Sequence, residues 1–164
     1  YGRAFGMRVV VWGSDESRAR AAADGFDVAT SKTALFEAAD VLTLHLRLSE
    51  TSAGCVTPED LACMKTTALL VNTARAELIQ EGALVSALNR GRPGMAAVDV
   101  FESEPILQGH PLLRLENAIC TPHIGFVEQS NYDGLFSTAF DNLLNFMAGQ
   151  PTNIVNPEAL RVPH

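Results

Sequence analysis

Short apolar runs rich in β-branched residues alternate along this chain with segments that carry helix-start signals. The first run, residues 8–12, is followed by Gly13 and then by Ser14, a good N-cap for a helix. Strands that alternate with helices form parallel sheets covered on both faces, so the pattern predicts an α/β, doubly wound fold. Further strands are predicted at residues 40–46, 67–72, 95–100 and 118–121.

The intervening helices carry their own start signals. Ser31 is placed to cap a helix over residues 32–39. Thr57 is followed by a proline and two acidic residues, the pattern of a helix N-terminus. The remaining helices are predicted at residues 15–22, 81–90 and 127–148.

The charge balance and composition narrow the classes of function. The 164 residues carry a formal net charge of −7, which argues against nucleic-acid binding because phosphate contacts need a basic patch. The apolar stretches are far too short to span a bilayer, so no membrane partner is expected. The three cysteines are far apart and show no metal-ligand spacing, which favours reduced thiols in a cytoplasmic protein without a metal site.

Ionisable side chains lie at the carboxyl ends of three predicted strands. Arg75 follows the strand at residues 67–72, and His123 follows the last strand. Asp99 and Glu104 lie at and just after the end of the strand between them. These ends meet at one edge of a parallel sheet, where an arginine fork binds carboxylates and a histidine paired with a carboxylate transfers protons. Singly, each residue is more commonly structural or a surface charge, but their shared position indicates a catalytic site.

Two stretches of the sequence carry a family signature. They are TALLVNTARAELIQEGALVSALNRGRPGMAAVDVFESEP at residues 67–105 and TPHIG at residues 121–125. Together they closely resemble the D-isomer-specific 2-hydroxyacid dehydrogenases, which include phosphoglycerate dehydrogenase and glyoxylate/hydroxypyruvate reductase. The resemblance runs over essentially the whole chain. It implies an oxidoreductase that transfers a hydride between a nicotinamide cofactor and a 2-hydroxy or 2-oxo acid, on a Rossmann-type sheet.

The resemblance also implies a role for each matching residue. Arg75 matches the arginine that grips the substrate's carboxylate and carbonyl oxygen. His123 matches the acid/base of the reaction, and Glu104 matches its carboxylate partner. Asp99 matches the acid that contacts the nicotinamide carboxamide. The residues implied to bind the cofactor are Leu46, Thr73, Ala74, Arg75, Asp99, His123 and Gly125.

The choice between NAD and NADP depends on the end of the first predicted strand. Family members that use NAD usually carry an acid there, which binds the ribose hydroxyls, and this chain has Gly13. Arg18 is one of the nearby side chains that can serve a 2′-phosphate, which would mean NADP. Asp15 and Glu16 would repel that phosphate, so the balance favours NAD.

The chain departs from the family pattern at its start. Neither the G-x-G-x-x-G loop nor the strand before it is present, so the resemblance implies a truncated Rossmann sheet and a C-terminal fragment that binds cofactor poorly on its own. The absent strand is expected between the strand at residues 8–12 and the strand that follows Thr66, leaving both without a partner. Residues 1–126 are expected to form the incomplete nucleotide-binding domain, and residues 127–164 to return to a substrate domain. A homodimer is expected for the full-length protein.

Three other interpretations remain open from the sequence. The first is an NAD(H)-sensing module that acts through protein partners, as the C-terminal-binding-protein corepressors do, since these relatives keep the same Arg, Glu and His residues. The second is a formate dehydrogenase, against which Glu104 counts because that family has glutamine beside its histidine. The third is an inactive remnant, against which the intact set of site residues argues.

Overall fold

The computed structural model describes residues 1–161, so the terminal His164 lies outside the described residues. The chain divides into two compact units, Tyr1–Ile124 and a second that begins at Gly125. The strands are β1 Val10–Val11, β2 Asp27–Val28, β3 Val41–Leu44, β4 Leu69–Asn72, β5 Met95–Val98 and β6 Ala118–Cys120. The α-helices are α1 Asp15–Ala23, α2 Lys32–Ala38, α3 Pro58–Cys63, α4 Ala83–Asn89 and α5 Gln129–Met147. Short 3-10 helices lie at Gly2–Phe5, Ala76–Leu78, Pro111–Arg114 and Pro157–Arg161.

A four-stranded parallel sheet is the centre of the first unit. Its strands lie in the order β3-β4-β5-β6, and Leu44, Asn72 and Val98 are aligned at the carboxyl ends of the first three. Each connection returns to the same end of the sheet, so all four carboxyl ends share one edge. The predicted α/β fold with parallel strands is confirmed.

The first two strands form a separate parallel sheet. Val10 pairs with Asp27 and Val11 with Val28, and the sequence analysis did not predict β2. The predicted break in the larger sheet was also placed wrongly. β4, the strand that follows Thr66, pairs with β3 on one side and β5 on the other. β3 is therefore the neighbour that β4 was expected to lack. The strand at this edge of the larger sheet is β3 and not β4.

Capping side chains and apolar packing determine where the helices begin and which faces they bury. Ser14 and Ser31 accept hydrogen bonds from the backbone N–H groups of Ser17 and Ala34, as predicted. Thr57 and Asp60 form a reciprocal capping box at the start of α3. The core lies between the larger sheet and α3 and α4. Its fully buried side chains include Leu61, Met64, Leu70 and Leu78.

Gly94, at the entry to β5, lies against the backbone of the segment that leads into β4. A Cβ atom at this position would lie 2.0 Å from the carbonyl oxygen of Thr66. The next residue, Met95, donates its N–H to the carbonyl of Ala68 at 3.1 Å. This close approach leaves no space for a side chain, so the register of β4 and β5 depends on glycine at residue 94.

The second unit consists of α5 and the tail that follows it. Thr152 and Asn153 donate hydrogen bonds to the side-chain oxygen of Asn142, at 3.0 and 2.8 Å, and so fold the tail back on the helix. Several apolar side chains of α5 are exposed, among them Phe140 at 61% and Met147 at 75%. Within residues 1–161, no helix combines the length and apolar character needed to cross a bilayer.

Candidate functional site

The loop after β4 is shaped by Asn72, a polar residue that is only 1% exposed. Its side-chain oxygen accepts a hydrogen bond from the N–H of Ala74 at 3.1 Å, and its amide group donates to the carbonyl of Arg75 at 2.9 Å. Both bonds fix the turn that follows the strand and present Arg75 at the carboxyl edge of the sheet. The sequence analysis included Asn72 in the strand without assigning it a role, although a lone amide in an apolar run is a signal for such a turn.

A cavity of about 370 Å³ lies between the loops that follow β3 and β4. It brings together four predicted cofactor residues, since Leu46 comes from the first loop and Thr73, Ala74 and Arg75 from the second. His45 also lines the cavity, and its Nε2 atom lies 3.0 Å from the hydroxyl of Thr43. Arg47 is a further lining residue that the sequence analysis did not single out. Two arginines, Arg47 and Arg75, are therefore among the residues that line the cavity.

The side chains of His123 and Glu104 are in direct contact, the pairing that the family resemblance implies. The Nδ1 atom of His123 lies 2.6 Å from Oε2 of Glu104, and each side chain is 35% exposed. A carboxylate only accepts hydrogen bonds, so Nδ1 donates and carries the proton. The other ring nitrogen, Nε2, is then the atom able to exchange a proton with a ligand.

The pKa of Glu104 is lowered from its ordinary value of 4.5. The largest cause is the N–H of Phe101, which donates to its carboxylate at 3.0 Å, followed by the hydrogen bond from His123. The positive charge of Arg75 contributes in the same direction, which places its guanidinium within electrostatic reach of the pair. Glu104 is therefore a carboxylate at neutral pH. The stability that these contacts give is present above pH 4.5 and is lost as the pH falls through the lowered pKa.

Asp99 lies at the end of β5 and is only 5% exposed. Its Oδ1 atom accepts a hydrogen bond from the hydroxyl of Thr121 at 2.5 Å and another from the N–H of Ile124 at 2.9 Å. These donors belong to the loop that carries His123. The structure thus joins Asp99 to the histidine loop, and Thr121 is a member of the site that the sequence analysis missed.

The end of β1 is the predicted position of the adenosine ribose. Ser14 is occupied as the cap of α1, because its hydroxyl accepts from the N–H of Ser17 at 3.2 Å. Arg18 forms an ion pair with Asp15, and its guanidinium stacks 4.3 Å above the ring of Trp12. Arg18, which is nearer in sequence to the end of β1 than Arg20, therefore already has two partners within the protein.

The remaining features are His110, a second cavity and Gly125. His110 has a structural environment, since Nδ1 accepts from the N–H of Leu112 and Nε2 lies 3.3 Å from Glu102. A second cavity of about 320 Å³ beside His110 contains none of the predicted site residues. Gly125 begins the second unit, and the site described above consists of residues of the first unit alone. Within residues 1–161, no three His, Cys, Asp or Glu side chains cluster as metal ligands.

Several known proteins are similar to this chain in sequence or in structure. The chain is 35% identical to a glyoxylate reductase of Aeropyrum pernix, over 98% of this chain and 48% of that protein. It is 60% identical to an oxidoreductase of Ralstonia solanacearum described as a D-3-phosphoglycerate dehydrogenase, with a TM-score of 0.92 over 99% of this chain and 47% of the other. A D-lactate dehydrogenase from Aquifex aeolicus, solved with NAD and lactic acid, is 28% identical, with a TM-score of 0.71 over 92% of this chain and 49% of that one.

The chain therefore spans about half the length of these relatives. Residues 1–125 match the protein family described as "D-isomer specific 2-hydroxyacid dehydrogenase, NAD binding domain". The resemblance read from the sequence and the cofactor it implied, NAD, are both confirmed at the level of the family. The chain belongs to the D-isomer specific 2-hydroxyacid dehydrogenases, because residues 1–125 match the NAD-binding domain of that family.

Proposed function

We propose that this chain is the NAD-binding part of an oxidoreductase that interconverts a small 2-oxo acid and the corresponding 2-hydroxy acid. The names of the relatives, glyoxylate reductase and D-3-phosphoglycerate dehydrogenase, support this class of substrate. The observation that carries the proposal is the 2.6 Å contact between His123 and Glu104, with Arg75 close enough to act on the same carboxylate. A proton donor, its orienting carboxylate and an anion-binding cation are the groups that reduction of a 2-oxo acid requires.

In this mechanism each side chain acts on a stated atom. Glu104 accepts a hydrogen bond from the Nδ1–H group of His123 and so fixes the orientation of the ring. Nε2 of His123 gives its proton to the carbonyl oxygen of the 2-oxo acid during reduction and takes it back during oxidation. Arg75 binds the substrate carboxylate through its guanidinium fork and stabilises the negative charge that develops on the carbonyl oxygen.

The residues at the sheet edge fit a nicotinamide dinucleotide. The cavity of about 370 Å³ is lined by the predicted residues Leu46, Thr73 and Ala74. Its position at the carboxyl ends of parallel strands is where such folds bind nucleotides. We assign Asp99 and Gly125 to the nicotinamide end, following the resemblance. The bound cofactor supplies the hydride, and the protein's part is to orient it.

A chimeric protein tests the proposed activity. This chain would replace the matching segment of the 60%-identical Ralstonia solanacearum protein, whose remaining half completes the two-domain length. We expect NADH-dependent reduction of glyoxylate or hydroxypyruvate. Arg75→Gln should lower kcat/KM by about 100-fold, because a charge-assisted pair of hydrogen bonds to the substrate is lost. The exposed Arg90 provides the matched control, and Arg90→Gln should leave kcat/KM unchanged.

Three results of this assay would contradict a part of the proposal. A folded chimera that binds NADH but reduces no 2-oxo acid would contradict the enzyme proposal and favour the NAD(H)-sensing module. Equal activity of the Arg75→Gln and Arg90→Gln proteins would contradict the role of Arg75. Formate oxidation in place of 2-oxo acid reduction would favour the formate dehydrogenase interpretation.

We further propose that the cofactor is NAD and not NADP. The guanidinium of Arg18 is held by Asp15 and by the ring of Trp12, so it is not available to a 2′-phosphate without losing a partner. In calorimetric titrations of the chimera, NADH should bind more tightly than NADPH. Asp15→Asn should strengthen NADPH binding by about threefold, the size expected for releasing an exposed ion pair.

Asp24→Asn is the control for this titration, since it removes a carboxylate at the other end of the same helix. It should leave the ratio of the two dissociation constants unchanged. Tighter binding of NADPH than of NADH by the unaltered chimera would contradict the proposal that the cofactor is NAD.

The organisation of the full-length protein is also part of the proposal. Residues 1–126 are assigned to the nucleotide-binding domain, and the segment from residue 127 to residue 164 is assigned to contacts with a substrate domain. The exposed apolar side chains of α5 support an additional partner for that helix. A cytoplasmic homodimer is proposed from the family resemblance, and the three free thiols are in keeping with a reducing compartment.

A further inference from the structure

The loop that carries His123 is held from both sides by one carboxylate oxygen. Oδ1 of Asp99 accepts the hydroxyl of Thr121, two residues before the histidine, and the N–H of Ile124, one residue after it. The two bonds measure 2.5 and 2.9 Å. Asp99 is buried at the end of β5, so it is a fixed point of the sheet and not a mobile surface group. The loop is therefore anchored to the sheet immediately around the histidine.

His123 itself has a backbone conformation that non-glycine residues adopt infrequently. Its φ angle is +53°, in the left-handed region, and its N–H donates to the carbonyl of Thr121 at 3.0 Å. A residue is held in this region only when its surroundings favour it over the extended alternative. The conformation also sets the direction of the ring, which reaches Glu104 at 2.6 Å. Loss of the anchor would release the turn and with it the orientation of the ring.

We infer that Thr121 is a positioning residue of the candidate site, because its hydroxyl, through Asp99, holds the left-handed turn that directs His123 toward Glu104. Asp99 has a cofactor role assigned by the resemblance, whereas Thr121 has none. Its side chain acts on the histidine through the carboxylate and not on the substrate. The consequence for catalysis rests on the proposed function, but the consequence for the His123–Glu104 contact does not.

The variants Thr121→Val and Thr121→Ser separate the hydroxyl from the rest of the side chain. Valine has nearly the same shape as threonine without the donor, and serine keeps the donor. Thr121 is exposed, so neither change alters the core. The first measurement is an NMR titration of the side-chain carboxyl of Glu104 in the 164-residue chain. Because His123 is one of the groups that lower the pKa of Glu104, Thr121→Val should raise that pKa toward 4.5, and Thr121→Ser should not.

The second measurement is steady-state kinetics of the same variants in the chimera. Displacement of a group that transfers a proton lowers the rate of the chemical step, so Thr121→Val should lower kcat by about 10-fold. Thr121→Ser keeps the hydroxyl donor and should leave kcat unchanged. An unchanged Glu104 pKa together with an unchanged kcat in Thr121→Val would overturn the inference. An inactive unaltered chimera with a raised Glu104 pKa in Thr121→Val would overturn the proposed function and leave the positioning role supported.

Discussion

Replacing His123 by asparagine is expected to lower kcat of the chimera by about 10²- to 10⁴-fold, the range for loss of a general acid. Asparagine tolerates the left-handed backbone better than other side chains, so the φ of +53° at this residue is retained. Its amide neither gains nor loses a proton near neutral pH. The reaction would then draw its proton from water.

The control for this substitution is a second histidine that also contacts a carboxylate. His110 lies 3.3 Å from Glu102 and outside the candidate site, so His110→Gln should change kcat by less than about twofold. The measurement is kcat across the pH range together with the KM for NADH. If His123→Asn keeps more than a tenth of the kcat of the unaltered chimera, His123 is not the proton donor and the proposed mechanism is wrong.

Gly94→Ala is expected to destabilise the fold by about 3 kcal/mol or more, which for a chain of this size lowers Tm by about 10 °C. The added Cβ would lie 2.0 Å from the carbonyl oxygen of Thr66, and this atom belongs to the backbone, which cannot rotate away. Relief requires that β5 move away from the segment before β4. That movement would break the bond from Met95 to the carbonyl of Ala68 and disturb the strands on both sides.

Gly109 provides the matched control, because a Cβ there meets no atom within 4 Å and its backbone is outside the left-handed region. Gly109→Ala should therefore change the free energy of unfolding by less than about 0.5 kcal/mol. Urea denaturation of the three proteins checks both expectations. Equal stability of Gly94→Ala and the unaltered chain would mean that the two segments do not approach as closely as the structure has them.

Local signals in the sequence were sufficient for most of the fold. Capping side chains such as Ser14, Ser31 and Thr57 act within one helical turn, so their pattern can be read without any tertiary information. β2 was missed because Asp27–Val28 is only a residue pair, and its strand character comes from pairing with β1. The edge of the larger sheet was misplaced for a related reason. Which strands are neighbours is decided by long-range packing and not by propensity.

In the candidate site, too, local features could be predicted from the sequence and long-range contacts could not. Arg75, Glu104 and His123 were found because they follow strands and match a family pattern, and their roles stay predictions. Thr121 was missed because its contact with Asp99 spans 22 residues and a threonine near a strand end is common. Arg18 was considered as a phosphate ligand because the sequence does not reveal that Asp15 and the Trp12 ring already hold it.

The strand order of the larger sheet has a consequence for how the molecule is made. β3, β4, β5 and β6 are neighbours in space in the same order in which they follow one another along the chain. During synthesis, β4, β5 and β6 therefore each leave the ribosome when one of the strands that they pair with has already been translated. β6 is the last of these four strands and leads directly into His123. The proton-transfer histidine of the proposed mechanism is therefore translated after all four strands of the sheet that positions it.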